Sequence, residues 1–529
     1  MRIAALEGAD LPSIWVSDKL WAVKRFVWQI LVLVLFALRG AAQETNPATT
    51  LGELQRRLAE QVDQPKFAHA FWGVKVLSLD TGKTLFEHDA QKLFSPASNC
   101  KLYTVALALD RLGQDYRIRT SLYATAKPNE AGTLQGNLIV YGRGDPTFNA
   151  RLHEGDVLKA LEPLASALAT AGVKRIAGDL VGDESYFRGP PYGSGWSWED
   201  LENYYGAEIS ALTINDNTLS AAGKPGPSVG LPCLAVLTPP TSSLLLSNRT
   251  LTVPKGTPRR LRFSRPLDED IVYVTGQMAV DDLGTSEDIT MHHPAAVFVD
   301  YFKRALTQRG IEVQGKGRSV SDMDRPSGPL DCDRLVELGF VESPPMRDLA
   351  REVEKPSQNL YADLLLAQVG EKSRPTQDNV TASESLGVRE LNKFLGEAGL
   401  SRASYSFEEG SGLSRDNLAS PDATVTLLQF MSHHKCAQTY LDALPIAGVD
   451  GTLRNRMKNT PAMGNLRAKT GTLRWANALS GYVTTAAGEH LAFSFMLNRY
   501  HATGQSRSSR EDLDALAVQL ARFTGRSEP

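Results

Sequence analysis

Ser357 follows Ser98 by 259 positions (357 − 98), yet the two serines stand in short motifs whose chemistry is complementary. The first is Ser98-Asn99-Cys100-Lys101, the second Ser357-Gln358-Asn359, and a third, Lys469-Thr470-Gly471, follows near the C-terminus. A fold that unites them must bring distant parts of the chain together and set the stretch between them aside as a separately folded insertion. A chain of 529 residues exceeds one ordinary hydrophobic core, so two or three domains are expected.

The local patterns around the motifs support this. Pro96 suits a helix entrance, and Leu102, Val105, Ala106, Leu109 and Leu112 recur at helical spacing up to Gly113. Ser98 and Lys101 fall in the first turn and, three positions apart, share a face from which Cys100 is displaced. That geometry favours Ser98 over Cys100 as a nucleophile. Upstream, Leu51–Val62 reads as an amphipathic helix, and a hairpin turns at Asp80-Thr81-Gly82-Lys83 between a strand from Val74 to Leu79 and one at Thr84-Leu85-Phe86. Downstream, Lys469–Thr472, Leu479–Thr484 and Leu491–Leu497 read as strands. A last helix follows over Ser509–Phe523, with Ser509 and Asp512 spaced as a capping box.

Helices flanking an antiparallel sheet predict an α+β catalytic domain. Within the long interval, Ile118–Ala124, Gly136–Tyr141 and Ile271–Met278 look like strands, which makes the insertion mainly β. The expected division is a leader over 1–42, a catalytic domain from 43–117 and 333–529, and an accessory region over 118–332 made of two nested subdomains.

Serine attacks a carbonyl only if a base takes its proton, and a lysine can serve only if its pKa falls. Lys101 is placed to be that base, and Lys469 is a second cation that would favour its neutral form. Ser98 at a helix start also lies where backbone N–H groups favour developing negative charge; its own amide and that of Thr472 would form the oxyanion site. An S-x-x-K string arises by chance about once in a chain this size, and Ser432-His433-His434-Lys435 is a second example. It closes a helical pattern over Ala423–Met431 and is expected to be structural. Ser357-Gln358-Asn359 and Lys469-Thr470-Gly471, by contrast, are the only S-x-N and K-T-G strings in the chain.

Together the motifs resemble the active-site triplet of the penicillin-binding proteins and serine β-lactamases. Six further stretches sharpen the resemblance: Pro96-Ala97, Gly144-Asp145-Pro146-Thr147, Gly195–Asp200, Gly410–Arg415, Gly448–Leu453 and the insertion itself. They are similar to the exported D-alanyl-D-alanine carboxypeptidase/endopeptidases of the low-molecular-mass class C group. Glu409 departs from the Asp that often precedes Gly-Ser-Gly in that group. The resemblance implies a penicillin-binding-protein-like fold, a serine acyl-enzyme on the penultimate D-Ala, and covalent reaction with β-lactam antibiotics. It implies a relay role for Ser357, an amide-holding role for Asn359, and carboxylate binding by Lys469, Thr470, Gly471 and Thr472. It also places Arg415, Asp200 and Trp198 near the pocket that reads the peptide side chain. The competing classes are a serine β-lactamase, which has no evident need of a large insertion, and an inactive wall-peptide-binding protein.

Composition narrows the partners. A formal net charge of −3, without a dense Lys/Arg run, argues against nucleic acid. The resemblance implies peptidoglycan stem peptides as the substrate, and no cofactor or metal is implied. His292-His293 and His433-His434 lack acidic or cysteine partners at metal spacing and read as solvated side chains. Lys24-Arg25, the apolar run Phe26–Leu38 and Gly40-Ala41-Ala42 follow the order of a secretory leader, cleaved after Ala42. The run falls short of the roughly 20 residues a membrane span needs. Glu7, Asp10 and Asp18 are atypical of such a leader and suggest a start downstream, for example at Val23. The expected location is the periplasm or the outer face of the cytoplasmic membrane, which leaves room for peripheral membrane association. Export would permit a disulfide, yet a chain this large does not need one; unpaired structural cysteines are the default expectation, with Cys233 and Cys332 a possible pair.

Overall fold

The alternation of apolar residues in the strands near the two chain ends places two hydrophobic layers on one sheet. The computed structural model describes residues 46–501 and 508–528, so the leader lies outside the described residues. Its first sheet has five antiparallel strands, β1 (Phe71–Ser78), β2 (Thr84–His88), β8 (Arg467–Leu473), β9 (Ala476–Thr484) and β10 (His490–Asn498), in the order β8-β9-β10-β1-β2. Along β10, Leu491, Phe493, Phe495 and Leu497 enter one core while Ala492 and Met496 enter another. Both faces are therefore covered, which is why this strand reads as a nearly unbroken apolar run.

One face carries α1 (Leu51–Val62) and α8 (Ser509–Arg522), whose Leu54, Leu58, Leu513, Leu516 and Leu520 are fully or almost fully buried. Thr50 caps α1 through Glu53 N, and Ser508 caps α8 through Arg510 N. The expected box of Ser509 and Asp512 does not form. The cap lies one residue earlier, and Asp512 instead receives the Lys66 ammonium at 2.5 Å.

The opposite face packs on α2 (Cys100–Arg111), α5 (Met346–Glu354), α6 (Asn359–Lys372) and α7 (Pro421–Ser432). Helix α2 is buried all round from Cys100 to Leu109, as befits the centre of an α+β layer arrangement.

The interval between Ser98 and Ser357 builds its own core, from Leu122 to Ile311. Its main sheet runs β6 (Gly317–Val320), β5 (Leu180–Asp183), β4 (Leu138–Tyr141), β3 (Arg119–Ala124), β7 (Val336–Glu342). The strands by which the chain enters and leaves, β3 and β7, pair antiparallel, Arg119 opposite Glu342 and Ala124 opposite Val336. Pairs β4/β5 and β5/β6 are parallel and need crossovers, which α3 (Val157–Thr170) and α4 (Pro294–Gln308) supply. Three three-stranded sheets complete the region, one of them pairing Leu245–Val253 with Ile271–Ala279 in parallel.

All four cysteines are free, in line with the default expectation, and the possible pair is not made: Thr252 Oγ1 lies 3.8 Å from Cys233 Sγ, and Cys332 Sγ points at the Leu330 carbonyl. One minor expectation is corrected: two of the histidines are not solvated. His292 is held by Glu208 at 2.6 Å and by Arg265, and His434 by Asp110 at 3.1 Å. A buried polar ring needs such partners, and carboxylates distant in sequence supply them.

Candidate active site

Ser98 sits in a single 3-10 turn, Ala97–Asn99, immediately before α2. Ala97 adopts φ +49°, a strained conformation for a residue with a side chain. Three contacts hold this turn against the sheet. Asn99 Nδ2 donates to Ser480 Oγ at 2.6 Å, Ser95 N donates to Asn498 Oδ1 at 2.8 Å, and Asn498 Nδ2 returns to the Ser95 carbonyl at 3.2 Å. Two glycines close on it from either side. A Cβ on Gly471 would meet Pro96 O at 2.5 Å, and one on Gly412 would meet Ala97 O at 2.0 Å.

Lys101, in the first turn of α2, is fully buried and makes three contacts. Its Nζ lies 3.0 Å from Ser98 Oγ, 2.6 Å from Asn359 Oδ1 and 2.5 Å from the Ser411 carbonyl. Asn359 opens α6 and donates its Nδ2 to the Tyr205 carbonyl at 2.8 Å, so a backbone group of the insertion fixes the amide's orientation. Ser357 just precedes it at φ +66°, and its Oγ accepts from Lys469 Nζ at 2.7 Å. Lys469 also donates to the Thr470 carbonyl at 3.0 Å, while Thr470 Oγ1 meets Thr452 Oγ1 at 2.8 Å.

The three sequence motifs thus converge. Cys100, as expected, faces away: it is buried and points at the Glu409 carbonyl. Ser432 caps its own helix end through the Gln429 carbonyl, and Lys435 is solvent-exposed beyond it.

Burial is what lowers the lysine pKa values. Lys101 is pushed below its ordinary value by desolvation, against the opposing pull of Glu409, Asp363, Cys100 and Glu354. Lys469 is pushed down to about 7, first by desolvation and also by the charge of Lys101, with Glu354 opposing. Desolvation, rather than the second cation, is therefore the leading cause at Lys101.

Glu354 carries no motif and was invisible to sequence reasoning. It ends α5, three residues before Ser357, is fully buried, and has no hydrogen-bond partner for either carboxylate oxygen among the described residues. Burial raises its pKa to about 7, while Lys469 and Lys101 pull it down. Glu409 is a second hidden element. Its carboxylate accepts from Ser411 N at 2.8 Å and Gly412 N at 2.7 Å, and from Ser411 Oγ and Asn417 Nδ2, which shapes the loop whose carbonyl reaches Lys101.

These groups open onto a cleft of about 1120 Å³ lined by Ser98, Ser357, Asn359, Thr470 and Thr472, and walled on one side by Tyr204, Tyr205 and Asp200 of the insertion. Arg415 forks onto Asp200, Nη1 to Oδ2 at 2.5 Å and Nη2 to Oδ1 at 3.3 Å, and both line the cleft. Trp198, 67% exposed, is not itself part of the lining, but Glu199 and Asp200 of the same loop are. Gly471 is buried beneath the cleft, where its missing side chain admits the turn that carries Ser98.

The profile of the D-Ala-D-Ala carboxypeptidase 3 (S13) family matches residues 54–520, nearly the whole described chain. The chain belongs to this family. As a family member it is a serine-type D-Ala-D-Ala carboxypeptidase, and its relatives extend over nearly the same length. It is 32% identical over 509 residues to a D-alanyl-D-alanine carboxypeptidase of Actinomadura sp. (strain R39), covering 94% of this chain and 90% of that one. It is 28% identical over 448 residues to the D-alanyl-D-alanine carboxypeptidase DacB of Haemophilus influenzae, covering 82% and 87%. The crystal structure of penicillin binding protein 4 (dacB) from H. influenzae superposes with a TM-score of 0.74 at 26% identity, over 88% of this chain and 99% of that one. The α+β architecture with its inserted region is therefore shared over 88% of this S13 peptidase.

Proposed function

We propose that Ser98, Lys101, Ser357, Asn359 and Lys469 carry out D-Ala-D-Ala cleavage on peptidoglycan stem peptides in the following sequence. A neutral Lys101 amine keeps two hydrogens, and Asn359 Oδ1 and the Ser411 carbonyl accept both. Its lone pair is then left facing Ser98 Oγ at 3.0 Å, and this single arrangement carries the reading. Ser98 Oγ attacks the carbonyl carbon of the penultimate D-Ala and passes its proton to Lys101 Nζ. The Ser98 and Thr472 amides hold the resulting oxyanion. The C–N bond then breaks, the leaving amine takes a proton relayed through the Ser357 hydroxyl, and an ester on Ser98 remains. Water, deprotonated along the same route, hydrolyses that ester.

Asn359 holds the substrate amide, and Lys469, Thr470 and Thr472 orient the terminal carboxylate. Arg415 and Asp200 contribute to the pocket for the peptide side chain. A β-lactam enters as a substrate mimic and stays on Ser98; the H. influenzae relative has been crystallised in complex with such a compound. Cross-links between a D-Ala and a diamino acid present the same bond and are cleaved by the same chemistry. Such substrates require export, for which the leader-like segment before Gln43 is suited. The separate core of the intervening region and the pairing of its entry and exit strands support an accessory unit on a catalytic domain; because β7 completes the accessory sheet, the unit runs past the expected bound of 332 to Glu342.

Release of D-alanine from a stem pentapeptide tests the assignment. The parent and Ser432→Ala release it, and Ser98→Ala does not. Release by Ser98→Ala at the parental rate, or its loss in Ser432→Ala alone, removes Ser98 from the mechanism.

A further inference from the structure

The cleft is charged unevenly. On the side of the insertion and α5 its charges are largely paired: Asp200 with Arg415, and Arg151 with Glu352 at 2.7 Å. The wall beyond Thr470 and Thr472 is built differently, from Arg454, Arg456, Arg474 and Arg510. Among the described residues only Arg456 of these has a carboxylate, Asp514 at 2.7 Å, and it also donates to the Arg510 carbonyl at 3.3 Å, tying the loop after Leu453 to the first turn of α8. Arg474 lies 5.6 Å from the centre of the Trp475 ring, at the turn between β8 and β9. Arg454 and Arg510 are exposed, and their guanidinium groups have no hydrogen-bond or ion-pair partner among the described residues. A chain with a net charge of −3 has no general excess of cations to account for four arginines along one wall.

Guanidinium groups bind carboxylates through paired, directional N–H donors, and clustering them without counter-ions is electrostatically costly unless an anion joins them. The position of the cluster identifies that anion. On the proposed reading, which this inference rests on, Thr470 and Thr472 hold the carboxylate of the leaving residue. The strand that carries both ends at Leu473, and Arg474 follows directly in the turn. A leaving group larger than one D-Ala therefore continues from Thr472 onto this wall. We propose that Arg454, Arg474 and Arg510 form a subsite for the carboxylates of the second stem peptide, the one released when a cross-link is cut. The enzyme thereby distinguishes cross-links whose leaving strand carries free carboxylates from those in which they are amidated.

Two synthetic cross-linked dimers test this, identical except that the leaving strand's carboxylates remote from the scissile bond are free in one and amidated in the other. The parent is expected to cut the free form with kcat/KM about tenfold higher, chiefly through KM, and the preference should shrink as salt rises. Arg454→Ala/Arg474→Ala/Arg510→Ala should cut both alike, with the stoichiometry of labelled penicillin on Ser98 reporting that its fold is intact. Arg474→Gln alone, should the triple variant not fold, should reduce the preference at least twofold. Equal rates on the two dimers by the parent, or a preference undiminished in the variant that folds, overturns the inference. So does a parent that takes up penicillin at Ser98 and cuts neither dimer; that outcome leaves the role of Ser98 standing. Absence of any adduct on Ser98 would instead count against the reading of the site itself.

Discussion

Gly471 lies so close to Pro96 that a Cβ on the glycine would stand 2.5 Å from the proline's carbonyl oxygen. The strand that carries Lys469, Thr470 and Thr472 thus touches the turn that carries Ser98 with no side chain between them. Gly471→Ala must push strand and turn apart by several tenths of an ångström. The variant is expected to remain folded, because the displaced atoms border an open cleft, while its rate of acylation by penicillin falls at least tenfold. Stopped-flow acylation alongside thermal unfolding measures both; an unchanged acylation rate would contradict the close-contact account.

Glu354 predicts a displaced pH profile. Its carboxylate faces Lys469 and Lys101 and favours their charged forms, as Glu409 and Asp363 do for Lys101. In Glu354→Gln both lysines lose a proton more readily. The acidic limb of the acylation rate is expected to move to lower pH, and a limb that stays or moves upward would refute the assignment of neutral Lys101 as base.

The same group sets a sign for stability. The Glu354 pKa is raised from 4.5 to about 7 on folding, so its contribution is complete below 4.5 and is lost as pH rises through about 7. Lys469, lowered from 10.5 to about 7, acts oppositely, and stability recovers as pH rises from about 7 through 10.5. Urea unfolding of the parent between pH 5 and 7 should therefore show a decline, on the order of one or two pH units wide, that Glu354→Gln lacks.

Glu409 holds its loop through five donors, the amides of Ser411, Gly412 and Ser414, the Ser411 hydroxyl and the Asn417 side chain. Glu409→Ala leaves buried N–H and amide groups unpaired at about 1–3 kcal/mol each, so a loss of about 3 kcal/mol or more in unfolding free energy is expected. Acylation should fall as well, since the Ser411 carbonyl is no longer held against Lys101. Wild-type stability and acylation in this variant would show that the loop is fixed by other contacts.

Where apolar periodicity is uninterrupted, the sequence is a sound guide to this fold. Leu51–Val62 and the strands around Val76, Leu479 and Phe493 were legible for that reason. The helices of the insertion were not. Pro163 interrupts the pattern of Val157–Thr170, and Pro294 follows a histidine pair that resembles a loop, although proline at the first position of a helix is favourable. The site divides in the same way. Ser98, Lys101, Ser357, Asn359 and Lys469 were readable because their spacing repeats a chemical unit. Glu354, the Ser411 carbonyl and the Tyr205 carbonyl were not, because a buried carboxylate and two backbone oxygens leave no mark in the pattern.

The central claim is that Ser98 becomes the ester in catalysis, and it is tested most directly by mapping the adduct. After incubation with labelled penicillin and proteolysis, mass spectrometry should find the label on the peptide containing Ser98, at one per chain, and none in Ser98→Ala. Label on any other residue, or an equal yield from Ser98→Ala, would contradict the account.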